Sequence, residues 1–191
     1  MAETTGRILV LRHGETEWSR ERRHTGRTDL PLTPEGEAAA RAAGERLAGW
    51  RGAVVLCSPL QRARRTAELA GLAATVDDDL VEWDYGAAEG RTTAEMRREV
   101  PGWTVWTAGA ELGESIDEVA RRAARVLDRC RPVLAGGRDV VLVAHAHLLR
   151  ILAVTWIEQP PTTAAHLVLG ATGTGVLADD LGIPVLESWN P

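Results

Sequence analysis

The sequence predicts an α/β protein: a three-layer sandwich with helices flanking a mostly parallel central sheet. Three observations lead there. Short apolar runs recur along the 191-residue chain, at 8–11, 53–57 and 140–143. Strands of a parallel sheet read this way because both of their faces are covered. Segments with helical spacing, bounded by helix start and stop signals, lie between these runs. The apolar fraction of 45% and charged fraction of 26% are ordinary for a globular protein, and a chain of this length buries a core without disulfide or metal staples. Residues 1–191 are therefore expected to form a single domain.

The elements follow in order. The run at 8–11 is the first buried strand. Thr33-Pro34 opens a helix, with threonine as N-cap and proline at the first helical position. An alanine-rich pattern carries that helix to about Gly49. The run at 53–57 is a second strand, 60–69 a helix and 74–76 a short strand. Ser115-Ile116-Asp117-Glu118 is a capping box. It begins a long amphipathic helix with apolar positions at Ile116, Val119, Ala123, Val126, Leu127 and Cys130, and Gly136-Gly137 ends it. A strand at 140–143 and a mostly apolar helix at 148–157 follow. Strand-like runs then surround Leu167, Val176 and Val185, separated by Gly, Asp and Pro. With no long helices to cross over, these are expected to be antiparallel edge strands. Between about 90 and 114 the pattern weakens around Pro101, Trp103 and Trp106, which suggests a lid or insertion.

Composition narrows the function. The net charge of −5 offers no general attraction for nucleic acid or an anionic membrane. All 22 basic residues are arginine, which excludes P-loop, Schiff-base and pyridoxal-phosphate chemistry, since each needs a lysine. Cys57 and Cys130 have no zinc spacing and read as buried free thiols. No cofactor or metal is expected. The first seven residues show no apolar leader, and the stretch at 148–157 is broken by Arg150 and too short to span a bilayer. A cytoplasmic location is expected, and the oligomeric state is open, a homodimer included.

Ligands of open α/β sheets bind beyond the carboxyl ends of the strands. The first strand ends at Arg12-His13-Gly14-Glu15. The second ends at Cys57-Ser58-Pro59, with Arg62 one turn into the next helix. The strand at 140–143 ends at Ala144-His145. Right-handed crossovers bring such ends to one edge, so two arginines and two histidines are expected to converge there. Guanidinium forks beside imidazoles suit a phosphate dianion.

Leu11-Arg12-His13-Gly14-Glu15-Thr16-Glu17-Trp18 resembles the signature of the histidine phosphatase superfamily, in its phosphoglycerate-mutase-like branch. Further segments resemble that family in the same order: residues 25–33, Ser58-Pro59-Leu60-Gln61-Arg62-Ala63, Glu82-Trp83-Asp84-Tyr85-Gly86 with Glu89-Gly90, and Ala144-His145-Ala146-His147. The likeness runs from residue 7 to about 160. It implies a phosphohistidine mechanism, with His13 as nucleophile, Arg12, Arg62 and His145 binding the phosphoryl oxygens, and Glu82 protonating the leaving alcohol. It also implies a small phosphorylated metabolite as substrate, a sugar phosphate or bisphosphate among the options. Ser19, Thr25, Gly26 and His24 are further candidates for substrate contact. The chain departs from the family's pattern at Ser19, where asparagine is common, at Ala146, where glycine is usual, and at Ala88, where an aromatic residue is usual.

These residue types suit the chemistry. Neutral imidazole is a good nucleophile near pH 7 if its second nitrogen donates to a fixed acceptor, and a carbonyl near Gly14 is the expected one. Arginines nearby disfavour imidazolium and supply the charge that a metal ion supplies in other phosphatases. Glu89 and Asp84 compete with Glu82 for the role of acid. Ser19 and Thr25 are equally readable as local turn or cap hydroxyls, and His24 as a surface loop residue. His147 and His166 read as structural, and Trp103 and Trp106 as lid packing. The competing functions are a bisphosphoglycerate-dependent mutase and a phospho-ligand binding module without catalysis. The lack of a long basic insertion after the acid motif argues against the first, and the presence of every catalytic residue type argues against the second.

Overall fold

A computed structural model describes residues 6–108 and 113–191. The chain runs β1 (Ile8–Arg12), α1 (Glu17–Arg20), α2 (Pro34–Arg46), β2 (Val54–Cys57), α3 (Gln61–Leu69), β3 (Thr75–Val76), α4 (Thr93–Glu99), α5 (Ile116–Ala135), β4 (Val140–Ala144), α6 (Ala146–Trp156), β5 (Thr174–Asp180) and β6 (Ile183–Trp189). The sheet order is β3-β2-β4-β1-β5-β6. Strands β3, β2, β4 and β1 are parallel, and β5 and β6 are antiparallel. The expected class holds: a mixed, mostly parallel sheet between two helical layers.

Alternation along the strands builds those layers. Ile8 and Val10 of β1, with Val140, Leu142 and Ala144 of β4, face α5 and α6 and pack with Val119, Leu127, Leu149 and Leu152. Leu9 and Leu11, with Val141, Val143 and Cys57, face the other way and pack with Ala43, Ala63 and Ala67 of α2 and α3. A one-residue slip would reverse both faces at once, so the register is firmly specified. Thr33 caps α2 by accepting from Gly36 N, and Ser115 and Glu118 form the capping box of α5. Cys57 and Cys130 are buried free thiols, and burial pushes both up to about 12.

Three features differ from the sequence reading. α2 stops at Arg46, and a separate 3₁₀ turn follows at Ala48–Trp50. The strand expected around Leu167 is absent: Pro161–His166 is a 3₁₀ helix, and Leu167 is its extended C-cap. Leu167 N closes the helix end on Ala164 O, and the carbonyls of Val168 and Leu169 accept from the Trp189 and Arg12 side chains, so the run's backbone is engaged outside a ladder. α1 and α4 were not anticipated. Both are short and polar, and capping boxes at Thr16/Ser19 and Thr92/Glu95 stabilise them in place of an apolar stripe. α4 lies within the weak stretch at 90–114, where Trp103 and Val105 join the core beneath α5 and α6. Residues 109–112 of that stretch, and residues 1–5 of the N-terminal segment expected to hold no apolar leader, lie outside the described residues. Among the described residues no helix is long and apolar enough to cross a membrane.

Candidate active site

The parallel register places the reactive residues side by side. Arg12 at the end of β1 pairs with Ala144, and Cys57 at the end of β2 pairs with Val143. The ladder continues one residue further: His13 N donates to Ala144 O at 2.9 Å, and Ser58 N to Val143 O at 3.0 Å. His13, Ser58 and His145 therefore meet at one sheet edge, with the two imidazole centroids 5.1 Å apart. The loop after β1 is pressed against the first turn of α2. A Cβ on Gly14 would lie 2.5 Å from Gly36 O, and one on Gly36 would lie 2.2 Å from Glu15 O. Only glycine at both positions allows backbones this close. Gly14 N also donates to Thr66 Oγ1 at 2.9 Å, tying the loop to α3.

His13 is 5% exposed, and its Nδ1 lies 2.6 Å from Gly14 O. A carbonyl only accepts, so Nδ1 carries the hydrogen and Nε2 of the neutral ring keeps its lone pair. The acceptor is the one the sequence suggested. Burial holds the imidazole well below its ordinary pKa, and Arg62 and Arg12 lower it further against the smaller opposing effect of the Gly14 carbonyl.

The two arginines expected to act alike are held differently. Arg62 is fully buried and directs four hydrogen bonds into the protein: Nε to His145 Nδ1 (3.2 Å), Nη1 to Thr28 O (2.8 Å), and Nη2 to Thr25 O (3.1 Å) and Gly26 O (2.9 Å). Arg12 directs a single bond, from Nη1 to Leu169 O (2.7 Å), and its buried Nε has no partner among the described residues. A buried orphan N–H is costly unless a ligand accepts it. His145 is also fully buried. Its Nδ1 accepts from Arg62, so Nε2 carries the hydrogen and donates to Ser58 Oγ at 2.7 Å.

In front of this group lies a cavity of about 470 Å³. Arg12, His13, Ser19, His24, Thr25 and Glu82 all line it, whereas Arg62, His145 and Gly26 stand behind the wall. Glu82 is 4% exposed and sits over the first turn of α6. Its Oε1 accepts from Leu148 N (2.9 Å) and Trp83 N (3.0 Å), and its Oε2 from His147 N (3.1 Å). A carboxylate there also meets the positive end of the helix dipole. The Ser19 hydroxyl donates to Thr16 O and accepts from Thr16 N, and the Thr25 hydroxyl donates to Arg23 O, so both are turned to nearby backbone. His24 packs against Tyr85 and Trp103 and lies 3.3 Å from Thr93 Oγ1. Ala146 opens α6 without left-handed backbone, so the turn after His145 needs no glycine.

Several residues were missed or read otherwise. Glu89, weighed above as an acid, accepts Gly26 N and Thr28 N at 2.9–3.0 Å. It grips the N–H groups of the loop whose carbonyls Arg62 grips. His147, read as structural, lines the cavity, and its Nδ1 is 2.5 Å from Tyr85 Oη. Arg150 and Tyr85 line it too. Periodicity could have found Arg150, a charge on an otherwise apolar helix. Nothing local marks Ser58, whose partner is 87 residues away. Among the described residues no three His, Cys, Asp or Glu side chains group as metal ligands.

This sheet edge, with a neutral imidazole, a guanidinium engaged by only one hydrogen bond and a carboxylate around one cavity, defines an α/β enzyme suited to an anionic substrate. The profile of the histidine phosphatase superfamily (branch 1) matches residues 8–191. An acid phosphatase of Mycobacterium tuberculosis (strain ATCC 25618 / H37Rv) is 38% identical, over 93% of this chain and 88% of that protein. Sedoheptulose 1,7-bisphosphatase of Saccharomyces cerevisiae (strain ATCC 204508 / S288c) is 35% identical, over 82% of this chain and 69% of that protein. The solved structure of a Mycobacterium tuberculosis open reading frame superposes with a TM-score of 0.93 at 37% identity, covering 97% of each chain. The chain belongs to the histidine phosphatase superfamily and is a phosphatase.

Proposed function

We propose that the chain hydrolyses small phosphorylated metabolites, sugar phosphates or bisphosphates among them, through a phosphohistidine on His13. The observation that carries this reading is the His13–Gly14 hydrogen bond, which leaves Nε2 unprotonated at the cavity wall. Nε2 attacks phosphorus in line while the ester P–O bond breaks, and Glu82 delivers its proton to the departing alkoxide. Glu82, now a carboxylate, takes a proton from water as that water attacks the phosphohistidine. The P–N bond breaks, inorganic phosphate leaves, and His13 returns neutral.

Arg12 supports the phosphoryl oxygens most directly, as the arginine that lines the cavity and directs only one hydrogen bond into the protein. Arg62 and His145 support it from behind, Arg62 by bracing residues 25–28 and keeping His13 neutral. His145 reaches a phosphoryl oxygen by turning its Nε2–H from Ser58 to the ligand. The positive charge facing the transition state comes from guanidinium groups, which removes the need for a metal ion. Helix α4, whose Thr93 lines the cavity beside His24, acts as the lid. Two free buried thiols suit a reducing compartment, which supports a cytoplasmic location.

The test is turnover of p-nitrophenyl phosphate by the wild type, its His13→Ala variant, and the wild type in EDTA. The reading expects hydrolysis, loss of it in the variant, and no effect of EDTA. Full turnover by His13→Ala would end it.

A further inference from the structure

One cavity arginine has no task in the scheme above. Arg150 stands on α6 five residues after His145, about 7.5 Å farther along the axis at ~1.5 Å per residue. Its guanidinium is fixed from several sides. Nε donates to Ala164 O at 3.0 Å, Nη2 donates to Ala165 O at 3.2 Å, and Cζ lies 4.4 Å over the Trp106 ring. Two of its N–H groups are thus directed into the protein, and guanidinium has five.

The charges around it sharpen the point. Arg23, which also lines the cavity, pairs with Glu21 and Glu95. Arg150 forms no ion pair among the described residues, although burial pulls its pKa down to about 10. Arg22, which also lines the cavity, forms none either, and it holds a left-handed φ of 58° in a place that usually takes glycine. A fixed, partly desolvated cation is unfavourable by itself and becomes favourable when an anion reaches it.

We propose that Arg150 reads a second anionic group, phosphate or carboxylate, on the same molecule whose phosphoryl group is transferred to His13. Preferred substrates then carry two anions several atoms apart, and a simple monophosphate leaves Arg150 unmatched. Arg22 adds charge to the same cavity wall. This deepens the reading of His13 as the phosphoryl acceptor and rests on it.

The test is direct binding, measured by calorimetry and so independent of turnover. The probes are a short series of α,ω-alkane bisphosphonates, the matching monophosphonates and the matching phosphonocarboxylates. On the wild type, the second anion should tighten binding by about 10- to 100-fold, the size of one charge-assisted hydrogen bond. Arg150→Met keeps an apolar stem over Trp106 and removes the charge; the advantage of the second anion should fall to about twofold or less, and Arg150→Lys should restore part of it. Whichever probe shows the larger advantage identifies the anion. No advantage in the wild type, or an advantage retained in Arg150→Met, overturns the proposal. A variant that binds every probe more weakly by one common factor also overturns it, since that marks a structural role. Turnover of p-nitrophenyl phosphate by the same wild-type preparation separates the two readings: hydrolysis that depends on His13 with no binding advantage rejects only the second-anion site.

Discussion

Replacing Glu82 by glutamine is the change that separates its chemistry from its place in the fold. The amide oxygen can take over the bonds from Trp83 N and Leu148 N, but the amide NH₂ then faces His147 N, donor against donor. Leaving that buried N–H unsatisfied costs about 1–3 kcal/mol. At about 2–4 °C per kcal/mol for a chain of this size, Tm should fall by about 2–12 °C. The chemical loss is separate. A positioned general acid is worth ~10²–10⁴-fold, or about 2.7–5.5 kcal/mol of barrier. The full loss should appear in kcat/KM, which reports phosphoryl transfer to His13 and not the later hydrolysis common to all substrates, for an alkyl phosphate, whose alkoxide needs the proton. It should be much smaller for p-nitrophenyl phosphate, whose phenolate leaves without one. The assay is steady-state kinetics on both substrates, beside a thermal melt. An equal loss on both substrates would mean that Glu82 only positions the first turn of α6. No loss on either would remove it from the reaction.

Glu89 should behave in the opposite way. Glu89→Ala frees Gly26 N and Thr28 N from a charged acceptor, and denaturant unfolding should show a loss of about 2–6 kcal/mol, about 1–3 for each group. Activity lost at full stability would instead make Glu89 the acid. The depressed His13 pKa places the acid limb of kcat/KM below pH 6.5, and a limb at or above 6.5 in the pH profile would contradict it. The same burial couples folding to pH. His13, His145 and His147 are all held well below 6.5 when folded, so the unfolded chain binds protons that the folded chain refuses. Stability should be at its plateau above pH 6.5 and should fall as pH drops below it, by about 1.4 kcal/mol per pH unit for each histidine. Urea unfolding across that window measures the slope, and a stability flat down to pH 5 would contradict it.

Most of the fold could be read in the sequence because it rests on local patterns. Runs such as Val140 to Val143 are apolar on both faces, and Thr33-Pro34 and Ser115-Glu118 mark helix starts by hydrogen bonds made within four residues. α1 and α4 escaped because a capping box with no apolar stripe resembles a polar loop. Leu167 misled because its apolar neighbours suit a strand, whereas its backbone and that of the next two residues bond to a helix end and to the distant Trp189 and Arg12 side chains. At the site, His13, Arg12 and Glu82 were recognisable because strand ends and motif order locate them. The division between Arg12 and Arg62 was not: it depends on residues 25–28 folding over Arg62, which Glu89 secures from more than 60 residues away. The place of His147 in the cavity depends on Tyr85, 62 residues earlier in the chain. Such partners are set by tertiary packing, and no spacing in the sequence encodes them.

The most direct test of the account is to quench the enzyme during turnover of a phosphate-labelled substrate and locate the label by peptide mass spectrometry under alkaline conditions. The account predicts an acid-labile phosphate on Nε2 of His13, absent from His13→Ala. Label on any other residue, or rapid turnover with no label during the steady state and full activity in His13→Ala, would contradict it.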